Sequence, residues 1–117
     1  MQGGISTASP HATSAGIEAL RDGGNAFDAA AAAAWALCVC EPSGSGLGGH
    51  TVALTLRPGH QIEVVNGRSV TPWAASLESI TAAEQRYGRT ASTVPSTVAT
   101  LDFIQRNYGR LPNGRVL

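Results

Sequence analysis

Lysine is missing from this chain of 117 residues, and all eight basic residues are arginine. Schiff-base chemistry and a lysine nucleophile are therefore excluded within it. Neither sign of charge predominates, since eight acids balance the arginines. Without a basic surplus no positive patch can dominate the surface, so a nucleic-acid partner is not expected. Cysteine is scarce, with Cys38 and Cys40 alone. On a helix, positions i and i+2 point apart, so both are expected to be reduced, small, buried apolar residues. They also lack the His/Cys company of a zinc site. His11, His50 and His60 are scattered without metal-ligand spacing, and no metal or other cofactor is implied. The apolar run from Ala29 to Val39 falls short of the roughly 20 residues that span a membrane. Residues 1–10 carry neither the positive charge nor the apolar run of a signal peptide. No G-x-S-x-G nucleophile elbow occurs. Repeats, linkers and low-complexity tails are also lacking, and the length suits one domain.

What is there reads as alternating helices and strands. Gly4 to Ser9 resembles a short strand of small residues, ended by Pro10. The spacing predicts a first helix over 11–21, with Ile17 and Leu20 on its apolar edge. Gly23-Gly24 stops it. A second helix follows, with Asn25 as N-cap and Asp28 in its first turn, where the helix dipole favours an acid. Its alanine run, followed by Trp35, Leu37 and Val39, is apolar all round, which predicts burial between layers. It ends at Glu41-Pro42. Asp28 and Glu41 then lie about 20 Å apart, at 1.5 Å per residue. They cannot form an acid–base dyad, and capping and loop anchoring are their expected roles.

Ser43 to Gly49 is a glycine loop. His50 to Arg57 alternates as a strand, with Val52, Leu54 and Leu56 on one side. Pro58-Gly59 signals a turn, and 61–65 returns, which gives a β-hairpin. A two-stranded hairpin needs further cover. Residues 67–76 read as irregular and 77–87 as a helix with Ile80 and Ala83 inward. Thr93-Val94-Pro95 is extended. A last helix spans 96–107, with Val98, Leu101, Phe103 and Ile104 as apolar cover, and Tyr108-Gly109 ends it. The fold class is mixed α/β (α+β). The glycine loop contains G-x-G-x-x-G, but a dinucleotide fingerprint follows a strand and opens a helix. Here a helix precedes and a strand follows, so a close-backbone loop is the better reading.

Several short motifs occur in one order along the chain. Arg21-Asp22-Gly23-Gly24-Asn25-Ala26-Phe27-Asp28-Ala29-Ala30 leads through the alanine run to Glu41-Pro42 and Gly46-Leu47-Gly48-Gly49. Asn66-Gly67-Arg68 follows, with Pro72 four residues on. Val94-Pro95-Ser96-Thr97-Val98-Ala99 and Tyr108-Gly109-Arg110-Leu111-Pro112 complete the set. Together they resemble the N-terminal part of the large subunit of the γ-glutamyltransferase (γ-glutamyl transpeptidase, glutathione hydrolase) family, over nearly the whole chain. The departures are His11 for leucine, His50 after the glycine loop, Ser69 for an acid, Ser96 for a turn glycine and Asn113 for tryptophan.

The resemblance implies the edge of a four-layer αββα sandwich of the N-terminal-nucleophile hydrolase type, incomplete in this chain, with residues 1–117 as a single partial domain. It implies cleavage of γ-glutamyl amides, as in glutathione, with transfer to water or an amino acid. In that family the nucleophile is an N-terminal threonine that begins the small subunit, so no catalytic residue is expected here. Arg68 is the substrate-binding residue the resemblance implies, since an arginine fork grips a carboxylate with two hydrogen bonds. The implied partners are a γ-glutamyl small molecule and the small-subunit segment, without membrane or nucleic acid. The family is often periplasmic or secreted, and the sequence leaves the compartment open. The alternative is a non-catalytic truncated piece that acts by interaction alone.

Overall fold

The computed structural model describes residues 3–117. Its elements are α1 (Pro10–Arg21), α2 (Ala26–Cys40), the one-turn α3 (Pro42–Ser45), β1 (Thr51–Thr55), β2 (Glu63–Gly67), a 3₁₀ turn (Arg89–Ala91), α4 (Thr97–Tyr108) and α5 (Asn113–Val116). This is an α+β arrangement with one two-stranded antiparallel sheet.

Pro10 starts α1, where a missing N–H is harmless. Gly23 ends the turn after it in the left-handed region, at φ +92°. The helix buries small residues, Ala12, Gly16 and Ala19, against the alanine face of α2. Ile17, expected on the apolar edge, is exposed. Small side chains bring the two helix backbones close, which a branched side chain at the seam would prevent. Ala19, Ala31, Ala32 and Val116 form the central cluster, with Trp35 and Leu111 packed on it.

The second helix touches α1, α4 and α5, so it does lie between layers as its composition suggests. Its last turn escapes cover, and Val39 and Cys40 are exposed. α4 in turn packs on both strands. Leu101 and Ile104 are buried as expected, whereas Val98 and Phe103 stay half-exposed. The hairpin register pairs Val52 with Asn66 and Leu54 with Val64. Strand alternation therefore turns Thr51, Ala53 and Thr55 toward α4 and leaves Val52, Leu54 and Val64 in the open. Leu54 is 76% exposed. The sheet thus shows an uncovered apolar face.

Two expected elements are absent. Residues 4–9 form no strand, because no other strand lies alongside to pair with them. Residues 77–87 form separate turns rather than a helix, with Gln85 N–H bonded to Thr81 O and Tyr87 N–H to Ala83 O. Short helices draw their stability from packing, and here Leu77, Ala83 and Tyr87 are all exposed. The glycine loop differs too, since α3 occupies its first half. The radius of gyration is 16.7 Å, against roughly 13 Å for a closed domain of this size. The open sheet face and the exposed 71–95 segment agree with that excess.

Candidate functional site

A buried carboxylate organises the ground on which the candidate site stands. Asp28 is fully buried, at 0% exposure. Its Oδ2 accepts from Asn25 N–H at 2.8 Å while Asn25 Oδ1 accepts from Phe27 N–H and Asp28 N–H, which closes a capping box. Asp28 also accepts from Gln105 Nε2 at 3.0 Å, from Arg110 N–H at 2.9 Å and from Leu111 N–H at 3.1 Å. Asn25 Nδ2 donates to Tyr108 O at 2.7 Å. The Asn25–Asp28 pair at the start of α2 therefore holds the end of α4 and the Tyr108–Leu111 turn. Capping and anchoring, expected for Asp28, are what it does. Its long-range partners carried no local signal beyond a lone acid in an alanine helix. Glu41 lies at the far end of α2, where its carboxylate meets Ser45 Oγ at 3.4 Å.

The hairpin is tied to the same helix end. Arg57 pairs with Glu63 at 2.7 Å, and its guanidinium lies 5.1 Å from the centre of the Tyr108 ring. Tyr108 Oη meets Glu63 Oε2 at 3.3 Å. Hydrogen bonding from Arg57, then the arginine charge and Tyr108, hold the Glu63 carboxyl below its ordinary range. Phe27 and Phe103 pack on the Tyr108 ring, at 5.1 and 6.0 Å. None of this cluster was singled out from sequence as a functional group.

With α4 and the hairpin fixed, Arg68 follows directly after β2. Gly67 lies flat on α4, and a Cβ there would strike the Thr100 hydroxyl and come within 2.7 Å of Thr51 O. Gly67 O accepts from Ser96 Oγ. Arg68 N–H donates to Asn66 Oδ1 at 3.4 Å. The Arg68 side chain is exposed and, among the described residues, forms no ion pair. Beside it runs an open groove of about 360 Å³ lined by Val65, Asn66, Ser96, Ala99 and Phe103. A free guanidinium on a fixed backbone beside a groove can take a carboxylate through two parallel hydrogen bonds.

The glycine loop reaches the same place from the other side. Gly49 O accepts from Ser96 N–H at 3.0 Å and from Thr97 N–H at 3.3 Å. Thr51 and Thr97 hydroxyls meet at 3.2 Å. A second cavity, of about 320 Å³, lies between the end of α2 and this loop, with Cys38, His50 and Thr97 in its wall. Burial pushes the Cys38 thiol up, away from a reactive thiolate. Both cysteines are free, as expected, but Cys40 is exposed where burial was expected. His11, His50 and His60 are all exposed and are not brought together. Among the described residues no group of three or more His, Cys, Asp or Glu could hold a metal. No helix among them is long and apolar enough to cross a membrane.

A family model described as gamma-glutamyltranspeptidase matches residues 12–117. The chain is 28% identical to the glutathione hydrolase proenzyme of Escherichia coli (strain K12), over 99% of its own length and 21% of that protein's. It is 32% identical to the capsule biosynthesis protein CapD proenzyme of Bacillus anthracis, over 97% and 20%. The chain thus spans about a fifth of the length of these relatives. Among solved structures it is similar to the gamma-glutamyltranspeptidase of Helicobacter pylori, with a TM-score of 0.86 and 26% identity, over 97% of this chain and 35% of that one.

Proposed function

Because this chain belongs to the γ-glutamyltranspeptidase family, we propose that it supplies the substrate-carboxylate grip and part of the scaffold of a γ-glutamyl-amide-cleaving enzyme. The grip is Arg68, and the observation that carries it is the unpaired, exposed guanidinium on a tethered backbone beside the groove. The guanidinium would hold the α-carboxylate of a γ-glutamyl group and so fix the distance of its γ-amide from the attacking group.

In the reaction proposed, a threonine hydroxyl outside residues 1–117 attacks the γ-carbonyl carbon, and its own amine takes the proton. Backbone N–H groups stabilise the oxyanion, the amine of the substrate leaves with a proton, and the acyl group passes to water or an amino acid. The uncovered face of the hairpin would meet a further sheet at the edge of a four-layer sandwich, a reading that the exposed Val52, Leu54 and Val64 support. The same face favours a second reading, an interaction piece without activity of its own, since apolar strand faces of this kind mark binding surfaces.

Binding of γ-glutamyl-p-nitroanilide by the chain assembled with the segment that carries the threonine tests the grip. Arg68→Ala is expected to weaken binding by about 2–5 kcal/mol, the usual loss for a charged hydrogen-bonding partner. Arg68→Lys keeps the charge but loses the fork, and is expected to bind more weakly than wild type. Equal binding by all three proteins would refute the proposal. The chain alone is expected to release no p-nitroaniline, and turnover by it would place the nucleophile within residues 1–117.

A further inference from the structure

Ser96 stands at the N-cap of α4, yet its side chain makes no capping hydrogen bond. Serine is favoured at that position because its oxygen accepts from the second or third helical N–H. Here the hydroxyl donates instead to Gly67 O, across to the end of β2. The rest of the residue is already fixed. Its N–H donates to Gly49 O at 3.0 Å, and its carbonyl accepts from Thr100 N–H at 2.9 Å and from Thr100 Oγ1 at 2.8 Å. The backbone of Ser96 therefore belongs to the glycine loop and α4, and only the hydroxyl reaches β2.

Gly67 C=O and Arg68 N–H belong to one planar peptide unit. The oxygen is held by Ser96, and the N–H by Asn66 Oδ1 at 3.4 Å. The Asn66 contact is long and exposed, so the Ser96 hydroxyl is what chiefly restrains rotation of this unit about the chain axis. The direction in which Arg68 leaves the backbone is then set before any ligand arrives. We propose that Ser96 is a positioning residue for Arg68, its hydroxyl clamping the peptide that carries the arginine. The proposal rests on the reading of Arg68 given above. Preorganisation of this kind raises affinity by removing ordering that binding would otherwise require.

The test uses ¹⁵N relaxation of the Arg68 amide in the unliganded chain, with binding of γ-glutamyl-p-nitroanilide by the assembled protein as second readout. Wild type should give an order parameter of about 0.85, and Ser96→Ala and Ser96→Gly a value that falls to about 0.6. Ser96→Thr, which keeps the hydroxyl, should restore it. Affinity should fall about fivefold in Ser96→Ala, the factor for one ordinary hydrogen bond, and recover in Ser96→Thr. Asn66→Ala frees the other end of the same peptide without touching α4 and should loosen the same amide. An unchanged Arg68 order parameter in both Ser96→Ala and Asn66→Ala overturns the clamp. So does a loss of order spread evenly along α4, which would make Ser96 a helix anchor only. If Arg68→Ala binds the anilide as tightly as wild type, the carboxylate reading fails, while the order parameter, read without ligand, still decides the clamp.

Discussion

Removing the Asp28 carboxylate should unfasten the chain where its first and last thirds meet. The side chain is fully buried and serves four donors, Asn25 N–H, Gln105 Nε2, Arg110 N–H and Leu111 N–H. In Asp28→Ala all four lose this acceptor. Gln105 Nε2 keeps Leu111 O at 3.2 Å, so three donors have no named alternative. Each buried orphan costs about 1–3 kcal/mol, and partial access of the Arg110 turn to water lowers the sum. A loss of about 3–5 kcal/mol is expected, in the range for breaking a buried charged network. Urea unfolding followed by far-UV circular dichroism would show it as a midpoint lowered by about 2 M, at a slope of about 2 kcal/mol per molar. Asp28→Asn keeps one acceptor and turns an NH₂ toward donors, so it should fall between wild type and Asp28→Ala. Asp102→Ala is the control, because Asp102 is half-exposed and meets only Arg106 Nε at 2.8 Å and Asn113 Nδ2 at 2.9 Å, contacts worth about 1–2 kcal/mol together. If Asp28→Ala lost no more than Asp102→Ala, the carboxylate would not be the anchor described.

Two further outcomes follow from the cysteines and the hairpin. Denatured, unreduced chain should show both thiols free, and in the folded chain Cys40 should react with a thiol reagent well before Cys38; equal rates would contradict the burial of Cys38. Glu63 has its pKa lowered from an ordinary 4.5, chiefly by hydrogen bonding from Arg57. Its contribution to holding the hairpin on Tyr108 is therefore fully present above the ordinary value and is lost as pH falls through the depressed folded one. Carboxyl ¹³C titration should show the depressed value in wild type and a rise toward 4.5 in Arg57→Ala, and no change on that substitution would refute the pairing.

The local elements were legible because their causes are local. Asn25 and Asp28 are three residues apart, and an Asx residue followed by an acid at that spacing favours a helix start through contacts within one turn. Pro58-Gly59 between alternating runs gives a hairpin for the same reason. Residues 77–87 and 4–9 misled because their patterns suit a helix and a strand, but neither finds a surface to pack on or an edge to pair with. Arg68 was legible only through the family pattern, since nothing in a single arginine after a strand separates a grip from a surface charge.

By itself the sequence determined the helix that follows Pro10, the helix capped at Asn25, the hairpin turn, the lack of lysine chemistry and the family, all of which depend on neighbours a few residues apart or on their order. Only the tertiary structure decided that the apolar hairpin face lies open, that Asp28 serves Arg110 and Leu111, and that Ser96 reaches Gly67. Those contacts join residues separated by 82, 83 and 29 positions. A hydrogen bond depends on distance and angle in space, and propensity or periodicity along the chain holds no information about which distant donor will arrive.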